Sequence, residues 1–347
     1  MIHVVVNKQV YTWSDDDATK QADELVPNLQ LSGSTLNLTL PSVNSARADL
    51  TITLPAGAQT TVTTTHGTIT VSDIAAPISV TSNDGDITID RINASVSAHI
   101  NHSGDSFAAH TIRGDVSLRG HADDLNLSDI TGQVTLEGEF FGDTHLENLT
   151  GPLSFRTSRT QFSVARLDGV VDISVKADMS GSQLVGPVEL HTRSRNISFQ
   201  RIAGPVNISN SHGTVDLTSA APVGNITVDN SDGEVNLTVP LPLKGKPGFS
   251  LETRNRNGGI QDQLDGFEVD NSPSPTHSAT YGDPASHISL TTTHADITIH
   301  NSAVEPPSPP SPPSPKSPSG PPSPHSPPSP PSPKSPKSPK SPPSPDF

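Results

Sequence analysis

Residues 69–80 read ITVSDIAAPISV and residues 87–98 read ITIDRINASVSA, the same arrangement of short aliphatics eighteen positions later. Each stretch centres on an anchor, Ile74 or Ile92, with Ala76 or Ala94 two positions on. The pair recurs as Ile112/Gly114, Ile130/Gly132, Leu149/Gly151, Leu167/Gly169, Leu184/Gly186 and Ile202/Gly204, at intervals of 17 to 20 residues. Four and six residues after the anchor stand two apolar residues split by one polar residue, as in Ile78/Val80, Val116/Leu118, Val134/Leu136, Leu153/Phe155, Val171/Ile173 and Val206/Ile208. Five and three residues before it stands another such pair, as in Ile69/Val71, Ile87/Ile89, Leu125/Leu127, Phe162/Val164 and Ile197/Phe199. Alternation places every second side chain on one face, so each unit predicts two short strands with apolar residues inward.

An antiparallel sandwich also uses short alternating strands, but it does not need side-chain identity to repeat every eighteen residues. Stacked coils do, because each rung packs on its neighbours. The expected fold is therefore all-β: a single-stranded β-solenoid (β-helix) of about 10–12 coils. Thr144 and Gly181 stand at inward positions and read as local flaws. His66-Gly67, Asp84-Gly85, Ser103-Gly104, His212-Gly213 and Asp232-Gly233 mark one corner, where glycine supplies positive φ. The glycine after each anchor marks a second corner with no room for a Cβ.

Residues 1–55 read as an N-terminal cap: a strand over 2–13, a helix capped by Ser14, and a hairpin across Ser32-Gly33 that hides the first rung from edge pairing. Residues 56–303 form the solenoid, with a loop inserted at 261–286. Residues 304–347, almost wholly Pro, Ser and Lys, form a disordered tail of polyproline character.

The chain carries a net charge of −15, and its tail from Pro306 holds four Lys against one Asp, which leaves −18 on the rest. Such a body repels phosphate, which excludes nucleic acid as a partner. Cysteine is absent, so disulfides and thiol chemistry are excluded. No run is long and apolar enough for a membrane span. Met1 to Val6 reads like mid-strand sequence rather than a signal peptide, which points to a start, and an anchor, lying upstream.

Candidate chemistry is sparse. Glu137, Glu139 and Asp143 could pair as acid and base. Asn83-Asp84-Gly85-Asp86 offers oxygen ligands without a calcium-repeat pattern. His66 and His212 occupy equivalent turns far apart, and His99, His102 and His110 fall on different parts of a coil. Arg113-Gly114-Asp115 matches a cell-attachment tripeptide, but Gly114 is the corner glycine of the repeat. Sequons such as Asn126-Leu127-Ser128 and Asn207-Ile208-Ser209 follow from polar residues flanking an inward aliphatic. Thr70, Thr88, Asn126, Ser163, Ser198, Asp216 and Asn236 form an outward polar stripe. No catalytic, cofactor or metal residue is assigned.

The phrases Asn83-Asp84-Gly85-Asp86-Ile87, Ser211-His212-Gly213-Thr214-Val215 and, most specific, Glu137-Gly138-Glu139-Phe140-Phe141-Gly142 resemble a bacterial family of adhesin-like β-strand-repeat proteins, a domain of unknown function. The resemblance covers residues 2 to 303 and implies an envelope or exported setting. It supplies no catalytic residues. The expected function is a non-enzymatic, envelope-associated structural or adhesion-like protein that contacts a surface glycan or envelope protein. The alternatives are a carbohydrate-active β-helix enzyme and an envelope scaffold docking partners through the proline-rich tail.

Overall fold

The inward aliphatics stack as parallel, in-register columns. Ile69 pairs with Ile87 and Ile87 with Phe107; Ile78 pairs with Val96 and Val96 with Val116. The anchors Ile92, Ile112, Ile130, Leu149, Leu167 and Leu184 pair in succession and are fully buried. The computed structural model describes residues 2–11, 14–43, 46–174, 176–244, 246–264 and 276–302, and the tail at 304–347 lies outside them. The solenoid winds through about nine turns.

Each coil has two strands that face one another. The first face stacks Thr60–Thr64, Ile78–Ser82, Val96–Ile100, Val116–Ala122, Val134–Phe140 and Leu153–Arg156. The second stacks Ile69–Ser72, Ile87–Ile92, Phe107–Ile112, Leu125–Ile130 and Thr144–Leu149. The first corner carries the chain from first face to second, through His66-Gly67 and its equivalents. Gly67, Gly85 and Gly213 hold positive φ there, whereas Gly104 and Gly233 do not, so the positive-φ expectation holds for only part of that column. The return corner contains the anchor. A Cβ on Gly114 would lie 2.4 Å from the Ala94 carbonyl, which explains a glycine there by close approach. Just before the anchor, Asp73, Arg91, Thr111, Asp129, Asn148, Gln183 and Arg201 all adopt φ between 53° and 59°. Strict alternation would turn that residue inward; a left-handed residue breaks the alternation and lets the anchor point into the core.

One rung runs backwards. Thr160–Ile173 pairs antiparallel with Leu153–Arg156 and Thr144–Leu149 on one side, and with Asp178–Ser182 and Leu184–Thr192 on the other. Tight turns admit the reversal: Thr157 N donates to Thr160 O at 2.8 Å, and Ser174 N to Asp178 O at 2.8 Å. Arg195 donates to Thr160 Oγ1 and to the Ser174 carbonyl, joining both ends of the reversed strand at the first corner. Parallel stacking then resumes through Asn196–Ile202, Val206–His212, Val215–Ser219, Ile226–Asp232 and Val235–Val239. The reversal leaves the core intact because the apolar pattern around an anchor, at −5, −3, 0, +4 and +6, is nearly palindromic. The one-residue mismatch is absorbed by register shifts at Glu147/Leu149 and Val164/Arg166.

The final coils are stacked out of chain order. Asp283–Thr292 and Ile297–Asn301 slot between the coil of Ile226–Val239 and the coil of Pro247–Asp262. The 261–286 loop is thus corrected in part: Thr276–Tyr281 is a strand antiparallel to Pro247–Asn255, and residues 265–275 lie outside the described residues. At the other end His3–Val10 pairs with Ala46–Thr53, Asp15–Glu24 is helical, and Asn28–Ser32 forms a hairpin with Thr35–Thr39. Ser14 stands at the helix N-cap but makes no side-chain cap bond. Among the described residues none of these strands pairs with Thr60–Thr64 or Ile69–Ser72. The segment therefore does not extend the stack by strand pairing at its first rung.

Buried polar residues brace the first corner from inside. Asn230, fully buried, donates from Nδ2 to the carbonyls of Gly213 and Glu234; Asn210 on the adjacent rung and Asn255 two rungs away likewise donate to corner carbonyls. Replacing Asn230 with Ala removes both of these hydrogen bonds, and we expect a loss of about 1–3 kcal/mol in chemical denaturation. The reversed rung gives a sharper prediction. Gly181 lies against Val171 and Phe199, whose atoms come within 3.0–3.1 Å of a Cβ built there. Gly181→Ile restores the apolar repeat, yet it should destabilise by about 1–3 kcal/mol through overpacking. A continuous parallel stack would instead gain stability.

Candidate functional site

Because rungs are in register, outward side chains also form columns. On the first face Thr61, Ser79, Ser97, Ser117, Thr135, Ser154 and Ser163 are consecutive neighbours, an unbroken hydroxyl ladder that Glu189 then continues. Two residues along, Thr81, His99, Arg119, Glu137 and Arg156 form a second column. On the second face Thr70, Thr88, Ala108, Asn126, His145, Asp172, Ser180, Ser198, Asp216 and Asn236 are stacked. Ser163, expected in this second stripe, lies on the first face instead. The reversed strand exchanges the halves of its rung, and Asp172 takes the vacated place.

Of the acids considered for catalysis, Glu137 and Glu139 are tied through their carboxylates into cross-rung contacts. Glu137 lies 3.5 Å from Arg119 Nε and 3.9 Å from Arg156 Nη1. Glu139 accepts from the Ser158 amide and hydroxyl at 3.2 and 3.1 Å. The Asp143 amide donates to Asp124 Oδ1 at 2.8 Å. The same staple recurs: Asp86 accepts from Ser106 N, Asp115 from Gln133 N, and Asp296 from Gly259 N. Asp115 of the Arg113-Gly114-Asp115 tripeptide is therefore a rung-to-rung tie. Asn126 and Asn207 face outward.

At the return corner Arg91 donates through Nε and Nη2 to both Asp73 oxygens at 2.8 Å, which holds that carboxyl below its usual range. His99 and His110 lie on opposite faces; His110 Nδ1 is 2.8 Å from Ser128 Oγ. At the terminal coil the buried Asp262 receives Tyr281 Oη at 2.5 Å and lies 3.1 Å from His277 Nε2, fastening the antiparallel edge strand.

The first corner gathers residues that the sequence reading kept apart. His66, Asp84 and His102 follow one another at eighteen-residue intervals, so they occupy successive turns. His66 Nε2 lies 3.9 Å from Asp84 Oδ2, and His102 Nδ1 lies 3.9 Å from Asp84 Oδ1 and 3.4 Å from Asp105 Oδ1. The ligand atoms of Asp84, His102 and Asp105 all fall within 4.8 Å of one another. Far along the stack the same order returns: His212 Nε2 is 3.4 Å and His294 Nδ1 2.5 Å from the oxygens of Asp232. The signal was present as the repeat period itself, applied to turns rather than strands.

His145, beside the reversed rung, lies 2.6 Å from Asp172 Oδ1 and 3.5 Å from Glu147. The hydrogen bond to Asp172 is the main reason its pKa rises above the usual 6.5, against the opposing effect of burial. A raised folded value stabilises the protein below the unfolded pKa, and that contribution is lost as pH rises through the folded value. We expect the His145 NMR titration midpoint above 6.5 in the parent, falling toward 6.5 in Asp172→Asn.

No curated protein and no solved structure gives a match to this chain. A family model does: the one described as Toastrack DUF4097, matching residues 11–300, which takes in nearly all the described coils. The chain belongs to the Toastrack DUF4097 family, a domain of unknown function.

Proposed function

We propose that this chain is a non-enzymatic display scaffold of the cell envelope, adhesion-like, with its first face as the contact surface and a surface glycan or envelope protein as partner. The hydroxyl ladder from Thr61 to Ser163 carries this reading. Strand spacing sets its hydroxyls about 4.8 Å apart on a rigid support. The adjoining column of His99, Arg119, Glu137 and Arg156 adds fixed charges of both signs. An extended polar polymer can meet such a surface with repeated hydrogen bonds while its ordering cost is kept low by the preorganised support. The same carboxylates that an enzyme would need, Glu137 and Glu139, are committed to Arg119, Arg156 and Ser158.

The test is retention of the chain on immobilised envelope polysaccharides and on intact cells, for the parent and for Ser97→Lys/Ser117→Lys. Retention by the parent that the paired substitution lowers about tenfold or more, with circular dichroism unchanged, supports the reading. No retention, or retention indifferent to the substitutions, overturns it.

A further inference from the structure

We propose that the first corner of the early rungs, formed by Asp84, His102, Asp105 and His66, binds a divalent transition-metal ion of the zinc class. Zinc takes histidine nitrogen and carboxylate oxygen at about 2.0–2.2 Å, so donors in a tetrahedral shell stand about 3.3–3.5 Å apart. His102 Nδ1 and Asp105 Oδ1 are 3.4 Å apart, and His102 Nδ1 and Asp84 Oδ1 are 3.9 Å apart. Small side-chain rotations bring the three into one shell. His66, against the other oxygen of Asp84, lies outside that cluster of ligand atoms and reaches the shell by rotating its exposed side chain.

Two features separate this corner from a chance gathering of surface charges. Asp105 is held in place: its side chain is 8% exposed, and its Oδ2 accepts the Gly85 amide at 2.7 Å, leaving Oδ1 turned toward His102. A carboxylate withdrawn from water needs compensating charge, and a cation shared with Asp84 provides it. Donors outside the first coordination sphere that orient a ligand in this way are a regular part of metal sites. Asp84 comes from one turn and His102 and Asp105 from the next, so an ion would bridge two rungs near the first end of the stack. Imidazole nitrogen favours zinc, cobalt or nickel over calcium and magnesium, which take oxygen shells. His212, Asp232 and His294 repeat the His-Asp-His order without an equivalent of Asp105 in the ligand cluster, and they serve as the internal control.

The experiment uses the full chain without an affinity tag, stripped by a chelator and titrated with cobalt(II), then zinc, in the presence of excess calcium. We expect one cobalt ion per chain with the strong visible absorption of a four-coordinate site, displaced by zinc and not by calcium. His102→Gln and Asp84→Asn should each weaken binding about tenfold or more, and His212→Gln should leave it unchanged. His102 and Asp84 are more than half exposed, so both substitutions spare the core, and circular dichroism checks this. Absence of uptake, uptake indifferent to His102→Gln, or uptake lost with His212→Gln would each overturn the proposal.

Discussion

In-register stacking of one coil directly on the next is the constraint on which the rest of this molecule depends. A rung has no core of its own; its few aliphatics are removed from water only by the rungs above and below and by the strand across. Each inward position must therefore match its neighbours in size, which is why Ile92, Ile112, Ile130, Leu149, Leu167 and Leu184 form one unbroken column. With few aromatic residues, the core is thin and gains area by length. Several of its large rings are set against one another, Phe162 and Phe199 at 5.8 Å and Phe140 and Phe155 at 5.5 Å.

The constraint acts on what points inward and says little about which way the chain runs. Parallel and antiparallel strands differ in hydrogen-bond geometry, but both satisfy the backbone and both alternate side chains. A rung whose apolar pattern reads almost the same from either end can be laid down backwards at the cost of a one-residue shift on each side of its anchor. That is the solution at Thr160–Ile173, and the positions that broke the repeat are its direct neighbours. Thr144 lies opposite Ile173 and Gly181 opposite Val171, where a larger side chain would compete for the space the reversed rung already fills.

The repeat in the strands was legible because burial makes it strict: spacing and alternation gave the solenoid, its columns and both corners. Strand direction was not legible, for the palindromic reason. Nor was the insertion of Asp283–Asn301 beneath the coil of Pro247–Asp262, since every late rung offers its neighbours a similar edge. The left-handed residues before the anchors escaped notice because Arg91, Thr111 and Arg201 are not residues that advertise positive φ. The His-Asp corner was missed for a different reason. The spacing of the histidines among themselves does not show it: stacking brings each turn residue against whatever occupies the next turn, and that residue is Asp84.

Stacking also governs how an acidic chain tolerates its own charge. Equivalent side chains on adjacent rungs stand about 4.8 Å apart, a distance at which like charges repel by a few kcal/mol at intermediate dielectric. Several of the outward columns avoid such pairs. Arg119, Glu137 and Arg156 alternate in sign; Asp73 faces Arg91; His145 faces Asp172. Where no cation is at hand an asparagine stands beside the carboxylate and donates to it, as Asn148 does to Asp129, Asn196 to Asp178 and Asn236 to Asp216. Carboxylates at the turns accept an amide from the next rung. Part of the negative charge is thus held in ties that each join two rungs, so those carboxylates add to the cohesion of the stack. At the first corner Asp84 and Asp105 converge, and the residues that meet them there are histidines.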